Sequence, residues 1–139
     1  VPEPAAPAVV VPPPEADMQA IAEAFRLRQG DRIEAKLRKL NEQYPGNAQV
    51  LSHLARLEYN LATAGRAQPI DKLMMNFDRS HLNAAREWAS QAVAADPELA
   101  DAWITSARVA LANSEVRESL EMLGRAEALD PSSVTRRLD

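Results

Sequence analysis

The sequence predicts an all-α chain, and three observations carry that prediction. Apolar residues recur at helical spacing from about residue 18 to residue 129. The prolines of this region and all its glycines except Gly124 fall between the stripes, at Gly30, Pro45-Gly46, Gly65, Pro69, Pro97 and Pro131. Alanine and leucine supply most of the apolar content, only 4% of residues are aromatic, and no alternating β-branched run marks a strand.

The elements follow in order. Residues 1–14, VPEPAAPAVVVPPP, hold six of the ten prolines. Proline fixes φ and removes an amide donor, so this stretch is expected to be an extended, unpacked, disordered linker, with one helical domain over 15–139. The opening on Val1-Pro2 reads as a processed or trimmed end. From Glu15, the stripe Met18, Ile21, Ala22, Phe25 and Leu27 predicts a first helix, ended by a turn at Gln29-Gly30-Asp31. Ile33, Leu37 and Leu40 predict a second, stopped at Tyr44-Pro45-Gly46-Asn47. Val50, Leu51, Leu54, Ala55, Leu57 and Leu61 carry a third. Leu82, Ala85, Ala89, Ala92 and Val93 carry the next, which stops at Asp96-Pro97. Leu99, Trp103, Ile104, Ala107 and Leu111 follow, and Leu120, Leu123, Ala126 and Leu129 close the series before Asp130-Pro131.

The stops are periodic. Pro97 and Pro131 lie 34 residues apart, and between them Trp103, Ser106-Ala107, Ser119, Leu123 and Ala126 alternate bulky and small side chains. The same offsets upstream give Leu51, Leu54-Ala55, Ala85, Ala89, Ala92 and Pro97. Small residues suit places where two helices of a hairpin cross closely. In these positions the chain resembles the tetratricopeptide repeat family over roughly residues 18–131, with the last repeat the clearest. In the first repeat the second helix and Pro45 match, whereas Gly30 stands about two residues too close to that proline. The resemblance implies a right-handed superhelical stack of about three helix-turn-helix hairpins. The tail SSVTRRLD places Arg136 and Arg137 where a further repeat would need apolar residues, so a short capping turn is expected there.

The middle repeat is too long. Leu51 to Pro97 spans 46 residues where its counterpart, Trp103 to Pro131, spans 28, an excess of about 18 that falls near 62–80. Ile70, Leu73, Met74, Phe77, His81 and Leu82 keep helical spacing, so the fourth helix is expected to start early, near Asp71. Met74, Met75 and Phe77 on that overhang form a possible second contact surface, since methionine adapts well to a partner.

In the family, the first helix of each hairpin lines a concave channel that holds a peptide or helix. The resemblance therefore implies groove positions at Gln49, Ser52, Arg56, Tyr59 and Asn60 in the middle repeat, and at Asp101, Ile104, Thr105, Arg108 and Leu111 in the last. Arg56 and Arg108 occupy equivalent places, so both guanidinium groups are expected on one surface, able to grip a carboxylate or peptide carbonyls. The family's Lys/Asn/Arg carboxylate clamp is not matched, because Ser52 and Asp101 stand at its contact places.

Composition narrows the function. A net charge of −4 and a pI near 5.2 give no electrostatic basis for binding nucleic acid or an anionic membrane. There is no cysteine, hence no disulfide or thiol chemistry. No apolar run reaches the roughly 20 residues of a membrane span. His53 and His81 lack a His or Cys partner at helical spacing, so no metal is expected, and His53 reads as a polar rim residue. The four glycines are scattered, so no phosphate loop and no cofactor are expected. The expected function is a non-catalytic scaffold or adaptor that binds a protein or peptide partner. The alternative is an assembly or oligomerisation subunit of a cell-envelope or secretion complex. The proline-rich, cysteine-free start points to a bacterial periplasmic or membrane-tethered protein, with the cytoplasm as the alternative.

Overall fold

The structure is a computed structural model that describes residues 13–63 and 79–132. Among these residues it is all-α, with six helices: α1 (Glu15–Arg26), α2 (Gly30–Gln43), α3 (Ala48–Thr63), α4 (Arg79–Ala95), α5 (Ala100–Ala112) and α6 (Val116–Leu129). Residues 1–12, the expected overhang with Met74, Met75 and Phe77, and the tail from 133 lie outside the described residues.

Local chemistry explains the helix ends. Pro14 has the extended geometry of polyproline (φ −55°, ψ 135°), and its carbonyl accepts the amides of Asp17 and Met18 at 3.0 and 3.2 Å. Glu15 and Asp17 then place negative charge at the positive end of α1. Pro13 is buried, so the unpacked linker expected over 1–14 does not extend to this residue. Asn47 caps α3 by accepting the Val50 amide on Oδ1 at 3.1 Å, and Asp96 accepts the Glu98 amide at 3.0 Å in the next proline turn.

The α1–α2 turn corrects the sequence reading. Its left-handed residue is Arg28 (φ 57°), and Gly30 is already the first residue of α2. The Arg28 amide donates to the Phe25 carbonyl and the Gln29 amide to that of Ala24, a Schellman arrangement. The α5–α6 turn repeats it: Ser114 (φ 62°) donates to Leu111, and Glu115 to Ala110. Pro45 therefore follows Arg28 by 17 residues, as Pro131 follows Ser114. The apparent two-residue shortfall came from taking glycine as the turn marker, whereas the helix-end hydrogen bonds set the conformation here.

The helices pair as α1–α2, α3–α4 and α5–α6, and α3 also packs on α5. The α3–α4 and α5–α6 pairs are the most extensive, and each has a small residue at the crossing. Ala85 is fully buried in a cluster with Ala62, Leu82, Val109 and Ala112, which joins three helices. Ser119, at the matching place in α6, is buried and donates its hydroxyl to the Ala107 carbonyl of α5 at 2.8 Å. In the first pair this place is held by Ile33. A bulkier side chain keeps α1 and α2 further apart: their contact is the sparsest of the three pairs, and a cavity of about 290 Å³ lies among Ile21, Ala24, Ile33 and Lys36. The larger core, built from Ile21, Phe25, Ile33, Leu37, Leu40, Val50, Leu54 and Leu57, ties these two helices to α3.

Three expected stripe positions of the last pair are not core. Leu111, Leu120 and Leu129 are 48%, 64% and 41% exposed. Trp103 is half-buried, with its ring N–H donating to the Pro97 carbonyl at 2.7 Å and the Arg125 guanidinium 5.1 Å from its ring centre.

Candidate binding groove

The first helices of the three pairs, α1, α3 and α5, converge on one cavity of about 280 Å³. Helix α1 contributes Met18 and Ala22, one turn apart. Gln49, Ser52, His53 and Arg56 come from α3, at the spacing that puts them on one face. Leu99, which precedes α5, completes the lining with Asp101 and Thr105. The lining is therefore apolar on the α1 side and at Leu99, and polar along α3 and the start of α5.

An aromatic stack backs the α3 wall. The rings of Phe25 and His53 lie 5.7 Å apart, inclined by 29°, and the Arg56 guanidinium carbon sits 4.3 Å from the centre of the Phe25 ring. A cation held over an aromatic face keeps its charge while its long side chain loses freedom, so Arg56 is positioned before any ligand arrives. Asp101 supplies the opposite charge from α5, which makes the cavity dipolar rather than basic.

Five of the ten expected groove residues, Gln49, Ser52, Arg56, Asp101 and Thr105, thus meet in one cavity, and the other five, Leu111 among them, do not line it. Ile104 is only 2% exposed and belongs to the interior, since it faces the packed side of α5. Asn60 is exposed beyond the cavity, with its carbonyl accepting the Thr63 hydroxyl at 3.0 Å. Tyr59 packs on the cluster around Leu82 and Val109. Burial pushes its phenol above the usual tyrosine range, with the nearby Arg108 charge opposing that shift. Arg108 lies near Tyr59 and outside the cavity lining, whereas Arg56 is part of that lining, so the expected pair of arginines is not brought together in this cavity.

Sequence reasoning missed Met18, Ala22 and Leu99, while His53, read as a polar rim residue, lines the cavity. Met18 and Ala22 belong to the first apolar stripe, and Met18 packs on the edge of the core while both line the cavity. Of the two histidines, His53 is held by Phe25, and His81 Nδ1 meets Glu58 Oε2 at 2.6 Å across α3 and α4. Among the described residues no three His, Cys, Asp or Glu side chains gather as metal ligands would, and no helix is long and apolar enough to cross a membrane.

Among the described residues, the fold and the cavity together define an all-α arrangement of helical pairs with a mixed-polarity site shared by the first helix of each pair. No family model matches the chain, and no curated protein matches it.

Proposed function

We propose that the chain is a right-handed superhelical stack of about three tetratricopeptide-type hairpins, acting as a non-catalytic scaffold or adaptor that holds a peptide or helix of a partner protein in its concave groove. The observation that carries this reading is the shared cavity, to which the first helix of every pair contributes. The repeated Schellman turns and the small residues Ala85 and Ser119 at the crossings support the repeat itself. Met18, Ala22 and Leu99 offer an apolar seat for one anchoring side chain, while Ser52, Arg56, Thr105 and Asp101 can meet the main chain or a charged neighbour. The exposed leucines of α6 favour a second reading, an assembly or oligomerisation subunit of a larger complex.

The test starts from affinity capture in the source lysate, then measures binding with the purified captured protein. Arg56→Glu is expected to weaken that binding at least about tenfold (about 1.4 kcal/mol) while helicity is kept. Arg108→Glu is expected to act less, because it lies by Tyr59. Equal affinity of wild type and Arg56→Glu would remove the groove as the binding site.

A further inference from the structure

The outer face of α6 is built like an internal surface. Val116 stands in α6 where Leu82 stands in α4, 34 residues earlier. Leu82 is fully buried against Val109 and Ala112 of the following pair. Arg86, one turn on, pairs with Glu115 at the start of α6. These are the places through which one helical pair meets the next. In α6 they are filled by Val116 and Leu120, which are 53% and 64% exposed. Among the described residues no further helix packs on this face, and Val116 and Leu120 leave it apolar where a solvated outer face would be polar.

Three neighbours on α6 say what fits it. Gly124 lies one turn beyond Leu120, and a Cβ placed there would meet nothing within 4 Å. Arg117 and Glu127, both exposed, stand near opposite ends of the stripe. We propose that this face joins two copies of the chain about a twofold axis level with Met122, with α6 antiparallel to α6 of the second copy. That axis sets Leu120 over Gly124 of the second copy, and the reverse, so the leucine enters space that the glycine leaves open. It also sets Arg117 beside Glu127 of the second copy, and symmetry makes that ion pair twice. A parallel pairing would place Arg117 beside Arg117, so charge selects the antiparallel one. The groove reading is not needed for this inference, because α6 contributes nothing to the groove cavity.

Light-scattering mass and sedimentation of the full chain, from low to high micromolar concentration, test it. The wild type is expected to reach dimer mass. Leu120→Glu, at a position too exposed to unfold the chain, is expected to raise the dissociation constant at least about tenfold with unchanged far-ultraviolet dichroism. Arg117→Glu and Glu127→Arg should each weaken the dimer, and the two together should restore it. A monomer at every concentration overturns the proposal, as does a dimer indifferent to Leu120→Glu. A double charge swap no tighter than the single reversals overturns the antiparallel register. A chain ended at Ser132 that dimerises when the full chain does not would assign the face to residues 133–139, and also overturns it.

Discussion

Replacing Ala85 by isoleucine sets two effects of similar size against each other. The substitution adds three carbons to a fully buried site in the cluster with Ala62, Leu82, Val109 and Ala112. If the neighbours could make room, the added apolar surface would contribute about 2 kcal/mol of stability, at ~0.8 kcal/mol per buried CH₂. If they cannot, forced rotamers and displaced helices cost about 1–3 kcal/mol. The structure decides for the second outcome. Ala85 has no exposed edge through which a longer side chain could leave, and its neighbours come from α3 and α5 as well as α4. Urea unfolding followed by circular dichroism should therefore show a midpoint lower by roughly 1 M with an unchanged slope, for a loss near 2 kcal/mol and slopes of about 1–3 kcal/mol/M. An unchanged or higher midpoint would refute the claim that small residues set the close crossings. It would also remove the explanation offered for the wider α1–α2 pair, where Ile33 fills the matching place.

Three further outcomes can be checked on the same preparations. Asn47→Ala, which removes the acceptor for the Val50 amide, should cost about 1 kcal/mol in urea unfolding, and Asn47→Asp should retain most of it. Tyr59 binds its proton more tightly folded than unfolded, so its contribution is complete below the ordinary tyrosine value and is lost as pH rises through the raised folded value. The unfolding midpoint should accordingly fall above about pH 10 in wild type, and fall less in Tyr59→Phe. Phe25→Leu keeps an apolar group in the core but ends the contacts with His53 and Arg56, at a cost of about 1–2 kcal/mol. The same variant should shift the His53 ring resonances in NMR, whereas unshifted resonances would show that the stack does not form in solution.

The helices were legible because each apolar stripe is bounded by a proline turn or a polar pair, and those signals act locally. The α1–α2 turn was misplaced by two residues because its left-handed position is taken by Arg28, a residue with no turn signature, while a nearby glycine drew attention. Leu111, Leu120 and Leu129 keep the spacing of a buried stripe, yet spacing cannot report whether a neighbouring element covers it. The groove was half legible for a related reason. Counting along α3 and α5 located the residues that point to one side, but which of them meet depends on how far each helix is rotated. Ile104 is turned about 100° from Thr105, whereas Arg108 keeps the side of Asp101 but stands about two helical turns further along α5, past the cavity. Met18 and Ala22 could not be assigned to it without knowing where α1 crosses α3.

The loose α1–α2 pair has a consequence for local opening. With the sparsest helix-to-helix contact of the three pairs and a cavity beside Ile33, α1 is the element that can detach at least cost, so its amides should exchange with solvent before those of α3 and α5. Yet Met18 and Ala22 on this helix form one wall of the groove cavity. An occupant seated there touches α1, α3 and α5 at once and suppresses that opening. Part of its binding free energy is then spent on holding α1 in place, and slowed exchange along Glu15–Arg26 would report occupancy of a site whose ligand has itself no signal.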